Sequence, residues 1–135
     1  MEPNSFKADH KLIQVLEKRS RAVSCSEHCI LFKQGETPRG LYILENGEAV
    51  LTLESASGSP VMCVRAGADS LLGLPGIIGN EPYTMTAMAR KGSEVRVVTR
   101  ADFEDVIRME PSLGLLVLQV LAAEVRSVRQ ALSEV

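Results

Sequence analysis

Apolar and polar positions change their rhythm twice along the chain. Over ADHKLIQVLEKRS (8–20), Leu12, Ile13, Val15 and Leu16 gather on or near one face, and Asp9 stands where it can cap the start. That spacing predicts a short amphipathic helix. From Cys29 the period shortens: CILFK predicts a strand, and QGETPRG, punctuated by Gly35, Pro38 and Gly40, a turn or loop. GLYILENGEAVLTLE carries two apolar-rich runs, near 40–45 and 48–53, on either side of Asn46-Gly47. Both of those residues favour the positive φ that a type I′ turn requires, so the pattern predicts a hairpin. SASGSP reads as another turn and VMCVR (61–65) as another strand. SLLGLPG is a short apolar turn, and YTMTAMAR and EVRVVTR are two more strands broken at Lys91-Gly92. Many short antiparallel strands at close spacing predict a barrel or sandwich.

From Thr99 the period is helical. Asp102 follows a capping Thr99 by three residues, a capping-box-like start with Asp in place of the usual Glu. Pro111 suits the first turn of a second helix, having no N–H to leave unpaired. That helix, PSLGLLVLQVLAAEVRSVRQALSEV, is expected to continue to residue 135. Leu118, Leu121, Val125, Val128, Leu132 and Val135 alternate by three and four, a heptad seam, and Leu115, Leu116 and Val120 widen the apolar face at its beginning. A helix packed on its own domain accounts for the first two turns. A stripe carried on to the last residue predicts a partner helix, hence a homodimer with Leu118, Leu121, Val125, Val128 and Leu132 at its interface.

The chain of 135 residues is long enough for one well-cored domain and short for two. With 45% hydrophobic and 24% charged residues and a net charge of −2, it has an ordinary globular composition and no electrostatic signature of a nucleic-acid or membrane surface. No run approaches the roughly 18 apolar residues of a membrane span, and MEPNSFKADHK lacks the apolar core of a signal peptide. A cytoplasmic location is expected. An odd count of three cysteines, Cys25, Cys29 and Cys63, without an export signal then predicts reduced thiols rather than a disulfide framework. Cys25, His28 and Cys29 form C-x2-H-C, which with Cys63 offers a metal reading; the spacing is not that of a usual zinc knuckle, and thiols packed as small apolar groups are favoured over it. No metal or other cofactor is expected. Ser24, His28 and Cys29 lie close in sequence, but no nucleophile elbow, metal motif or P-loop accompanies them. Glu45 and Glu48, flanking the turn, are most simply solvated. An enzyme is not expected.

The order of elements, helix, β-rich middle and long C-terminal helix, resembles a cyclic-nucleotide-binding domain, and the residues agree. ILFKQGETPRGLYILENGEAVLTL (30–53) is similar to the family's opening motif, SLLGLPG and YTMTAMA stand at its phosphate-binding cassette, and VVTRADFEDVIRMEPSL resembles the approach to its long helix. The likeness runs from about residue 8 to the end and is nearest to the sensor domain of bacterial Crp/Fnr-type transcription regulators. It implies a mainly β fold with flanking helices: a jelly-roll-like double-stranded β-helix over 29–98, a helix over 8–20, and C-terminal helices over 99–135, the last pairing in a dimer. It also implies ligand-pocket candidates: Leu71, Leu72, Gly73 and Leu74 of the cassette, Tyr83 and Thr84 beyond it, and Val128 and Arg129 on the long helix, at positions that in the best-known branch offer hydroxyls to the base.

Two departures limit what carries over. In the family a carboxylate accepts from the ribose hydroxyl and a buried arginine pairs with the cyclic phosphate. Here Leu71 falls on the acid position and Tyr83, or Pro82 in a neighbouring register, on the arginine position, with about two extra residues in GIIGNEP. A charge-assisted pair to phosphate is worth about 1.5–3 kcal/mol net, and burying the phosphate charge without one costs more. Cyclic-nucleotide affinity is therefore expected to fall on the order of a hundredfold or more, with Leu71, Tyr83 and Ile77 partly filling the site. Secondly, Crp/Fnr regulators continue into a helix-turn-helix domain, whereas this sequence stops with the long helix, so no direct DNA binding is expected of this chain alone. A stand-alone sensor and a piece of a longer regulator are equally compatible with that ending. The expected role is a non-catalytic, dimeric sensing domain with a degenerate cassette. The alternatives are a true cyclic-nucleotide receptor using Arg65 or Arg90 as substitute cations, and a ligand-free protein-interaction scaffold. An iron–sulfur sensor would call for four thiolates, one more than the chain has.

Overall fold

A computed structural model describes residues 6–133. Helix α1 (His10–Glu17) begins where Asp9 accepts a hydrogen bond from the Lys11 N–H at 2.9 Å, and it buries Leu12, Ile13 and Leu16. Eight strands follow: β1 (Ser20–Val23), β2 (Cys29–Phe32), β3 (Gly40–Asn46), β4 (Ala49–Glu54), β5 (Pro60–Ala66), β6 (Ser70–Leu72), β7 (Thr86–Ala89) and β8 (Glu94–Thr99). A short helix α2 (Leu74–Gly79) interrupts them between β6 and β7, and α3 (Arg100–Met109) and α4 (Leu113–Ser133) close the described chain. The strands form two four-stranded antiparallel sheets, in the orders β1-β8-β3-β6 and β2-β7-β4-β5. This is the jelly-roll sandwich with flanking helices that the sequence predicts. β1, which the sequence pattern does not pick out, joins the first sheet by pairing Ser20–Val23 with Val98–Val95 of β8.

The Asn46-Gly47 hairpin is not formed. β3 pairs with β6 and β8, whereas β4 pairs with β5 and β7, so the turn carries the chain from one sheet to the other instead of folding it back within one. Gly47 has φ +99°, but Asn46 is not among the positive-φ residues, so a type I′ geometry is excluded. Lys91-Gly92 makes the same crossing between β7 and β8. The two corners pack on each other: the Ser93 hydroxyl donates to the Glu48 carbonyl and accepts from the Glu48 N–H. A Cβ on Gly47 would come within 2.7 Å of the Ser93 Cα. Alternating side chains drive the crossing, because a roll buries both faces of β3. Leu44 faces the interior between the sheets, and Leu41 and Ile43 face the helices. The true hairpin lies one connection later, where SASGSP joins β4 to β5 with the Ser55 N–H donating to the Ser59 carbonyl.

Two cores result. One fills the roll, with Phe32, Leu44, Leu51, Val64, Leu72, Tyr83 and Met85 among its members. The other lies between the outer face of the β1-β8-β3-β6 sheet and the helices, joining Leu12, Leu16, Ile43, Leu71, Phe103 and Leu113. α3 starts at Thr99 as the sequence indicates, the Thr99 hydroxyl accepting from the Asp102 N–H at 3.1 Å. Pro111 and Ser112 form a turn, and α4 begins at Leu113, two residues later than expected. Among the described residues no helix is long and apolar enough to cross a membrane.

The reduced-thiol expectation is corrected for two of the three cysteines. Cys25 and Cys29 are disulfide-bonded, and Cys63, exposed on β5, is free. The loop between β1 and β2 turns back over four residues and brings the two Cα atoms to 5.6 Å, within ordinary bridging range, which the odd count alone did not reveal. The C-x2-H-C metal reading loses both its thiolates to this bond.

Candidate functional site

The cassette folds as a left-handed Gly73 (φ +96°) followed by the six-residue α2, with Pro75 in its first turn. Tyr83 returns from the far side of α2, with its ring against both glycines. A Cβ on Gly73 would approach the Tyr83 Cε1 to 3.0 Å, and one on Gly76 would approach its Cδ1 to 3.2 Å. The ring also stacks on Phe32, with centroids 4.0 Å apart and planes at 19°. The phenol donates to the Gly40 carbonyl at 2.6 Å and accepts from the N–H groups of Arg39 and Gly40 at 3.2 and 3.3 Å. The neighbouring backbone is tied down as well, the Tyr83 N–H donating to the Glu36 carbonyl and the Gly35 N–H to the Tyr83 carbonyl. Tyr83 is thus a buried aromatic whose hydroxyl and backbone groups are all hydrogen-bonded.

Beside it remains a cavity of about 10 Å³, bounded by Phe32, Leu51, Gly73, Tyr83, Thr84 and Glu124 among others. That is room for about one water. The stretch from Ser70 to Ala89 holds no Lys, Arg or His, and its acid, Glu81, is exposed. The wall is therefore free of positive side-chain charge in any register of the cassette.

The sequence-predicted site residues are only partly brought together. Gly73, Tyr83 and Thr84 line the cavity, and Leu72 belongs to the core behind it. Leu71, Leu74 and Ile77 turn to the opposite side, into the core under the helices. The filling of the site expected of Leu71 and Ile77 thus falls to Tyr83 and Phe32. β6 alternates, and Leu71 sits on the face away from the roll. On α4, Arg129 is exposed and Val128 only partly buried against the roll. Arg65 and Arg90 stand beside the Gly47 corner, both on Glu48 at 3.9 and 2.8 Å, with half of each side chain exposed.

The residue that sequence reasoning missed is Glu124. It is 5% exposed, its Oε1 has no hydrogen-bond partner among the described residues, and burial pushes its carboxyl up to about 7. Its signal was spacing: Leu113, Val117, Val120, Glu124, Ser127 and Ala131 repeat by four and three, a second stripe in which one member is an acid.

Among known proteins, the family profile for the cyclic nucleotide-binding domain matches residues 22–110. No curated protein matches the chain by sequence. Solved structures with the same fold include the Thermus thermophilus Catabolite Activator Protein, 22% identical over 98% of this chain with a TM-score of 0.72. This chain spans 61% of that protein. The N-terminal domain of a transcriptional regulator from Streptomyces coelicolor A3(2) is 21% identical, covering 99% of this chain and 93% of its own, with a TM-score of 0.67. A cyclic nucleotide-binding domain from Methylobacillus flagellatus KT is 20% identical over 94% of this chain and 74% of its own, with a TM-score of 0.74. Neighbours at such identities establish the fold, and the profile match over most of the chain establishes the family: this protein belongs to the cyclic nucleotide-binding domain family.

Proposed function

We propose that this is a non-catalytic regulatory domain of Crp/Fnr type whose cassette no longer takes a cyclic phosphate, and which signals through pairing of α4 with a second copy. The observation that carries the reading is Tyr83. With one ring edge against Gly73 and Gly76, its ring stacked on Phe32 and its hydroxyl bonded to Gly40, it fills the turn with an uncharged aromatic. The space of about 10 Å³ left between Tyr83, Gly73 and Glu124 is far below the several hundred Å³ of an ordinary small-molecule site. The wall offers no cation, and Glu124 would face an incoming anion with a carboxyl. Binding a phosphate there would mean removing it from water without a counter-charge.

The reading as a true cyclic-nucleotide receptor is disfavoured, because the cations it relied on, Arg65 and Arg90, are engaged with Glu48 at the Gly47 corner. The scaffold reading shares the α4 pairing and differs only in lacking a ligand. The exposed stripe of α4 supports the pairing, and no direct DNA binding is assigned to residues 6–133. Calorimetry with cyclic AMP and cyclic GMP tests the proposal. No isotherm is expected at micromolar concentration, and a stoichiometric micromolar isotherm with either nucleotide would overturn it.

A further inference from the structure

We propose that Glu124 is a proton-operated latch between α4 and the roll: with its carboxyl neutral the helix seats over the cassette end, and ionisation of the carboxyl loosens that seat. The inference goes beyond ligand sensing and does not depend on whether α4 pairs with a second copy.

It rests on geometry. Glu124 points from α4 into a narrow space bounded by Phe32, Leu51, Gly73, Tyr83 and Thr84, and among the described residues its buried Oε1 has no partner. A buried carboxylate is held in place by a cation or by several donors, and otherwise it is neutral. The elements packed around it supply neither. From β2 and β4 come Phe32 and Leu51, and from α2 Pro75 and Gly76, none of which titrates. From the 83–85 segment comes Tyr83, whose hydroxyl is directed to Gly40. β5, on which α4 rests, turns Met62 and Val64 inward and leaves Cys63 and Arg65 exposed, Arg65 beside Glu48. On α4 itself, Arg126 and Arg129 are exposed. From α1, which meets the first turns of α4, Lys11 reaches Glu110. The cavity admits about one water, too little to solvate a carboxylate and too little for an organic ligand, so the proton is the species this site can exchange.

The direction of the effect follows. Burial raises the carboxyl from an ordinary 4.5 to about 7. Between those values the folded state holds a proton that the unfolded state has released, so stability falls as pH rises from about 4.5 to about 7 and is level beyond. The difference corresponds to a change on the order of a hundredfold in the opening equilibrium of α4.

The test is a carboxyl-carbon NMR titration with hydrogen exchange on α4. In protein labelled at glutamate side chains, the Glu124 resonance is assigned by its absence from Glu124→Gln. A midpoint near 7 is expected, and a midpoint in the ordinary glutamate range would overturn the proposal. Amide protection over residues 117–131, corrected for intrinsic exchange, is expected to drop on the order of a hundredfold from pH 5 to pH 8 in the wild type. It should stay level in Glu124→Gln and in Glu124→Leu, the latter an apolar side chain of similar size for the event that the amide disturbs folding. Equal pH dependence in wild type and variants would overturn the latch.

Discussion

The two faces of α4 are composed the wrong way round for a helix that serves only its own domain. Toward the roll the last three turns present Glu124, Ser127 and Ala131, with Val128 packed beside them, whereas outward they present Val125 and Leu132. A surface helix of a monomer places its apolar stripe inward and its polar residues out. Here Leu118, Val125 and Leu132 are 59%, 54% and 43% exposed. The outward stripe runs on into an apolar groove of about 790 Å³ between α2, α3 and α4, floored by Ile77, Phe103 and Val117. The first turns, Leu113, Val117 and Val120, are buried in the core under the helices. The start of α4 is thus held by conventional packing, and its end rests on the roll through a polar stripe while exposing Val125 and Leu132. That division is what a helix needs if its seat is to be adjustable.

The sharpest way to break the comparison is to charge the outward face. Val125→Glu places an unpaired carboxylate in the middle of the stripe. If the stripe is a helix–helix seam, the charge costs about 3–5 kcal/mol at the interface, a loss of association on the order of a thousandfold. Sedimentation is expected to show a dimer for the wild type and a monomer for the variant, with the β circular-dichroism signature of the roll unchanged. A wild type that is monomeric at high concentration would show that the outward stripe serves something other than pairing.

The inward face gives the next largest effect. With its carboxyl displaced from 4.5 to about 7, Glu124 makes the folded state less stable at pH 8 than at pH 5 by about 3 kcal/mol. Glu124→Leu removes that term, so urea unfolding should find the variant more stable than the wild type at pH 8 and nearly equal at pH 5. A wild-type midpoint that is flat with pH would make the inward face as inert as an ordinary packed surface.

Tyr83 comes next, as the buried ring beneath that face. Tyr83→Phe keeps the ring between Gly73, Gly76 and Phe32 but strands the Gly40 carbonyl and weakens the turn at 39–40. A loss of about 1–2 kcal/mol is expected by chemical denaturation, with no gain of cyclic-nucleotide binding, because the ring and not the hydroxyl fills the space.

How legible this was depended on whether a signal was local. α1, the Thr99 cap and the strand segments are written in contiguous spacing, and each stands close to where the pattern puts it. The pairing of strands is not written that way. Asn46-Gly47 has the composition of a hairpin turn, but the burial of both faces of β3 sends β4 into the opposite sheet, and no window of a few residues encodes that choice. The cassette shows the same limit. Its lack of charge is plain in SLLGLPG and Tyr83, but the seating of the tyrosine ring depends on Phe32, 51 residues upstream, and Glu124 comes beside it only because α4 lies across the roll. Of the seam expected on α4, Leu118, Val125 and Leu132 are exposed, Leu121 and Val128 pack partly on the protein's own cores, and Val135 lies outside the described residues. The inward stripe was hidden by the polarity of Glu124 and Ser127.

The smallest expected effect separates the two polar residues of the inward face. Ser127 is as buried as its neighbours, but its hydroxyl donates to the Ala123 carbonyl one turn back at 2.9 Å, so its polarity is satisfied inside the helix. Ser127→Ala gives up that local bond, which mid-helix slightly opposes helix geometry, and gains in helix propensity, two terms of opposite sign and similar size. The stability change should lie within about 0.5 kcal/mol at every pH, with the slope between pH 5 and pH 8 unchanged from the wild type. Glu124, one turn away on the same face, has no such internal acceptor or donor, so its substitution alone should alter that slope. A Ser127→Ala protein whose pH dependence flattened as in Glu124→Leu would mean that the seating of α4 depends on the polarity of the whole face and not on one carboxyl.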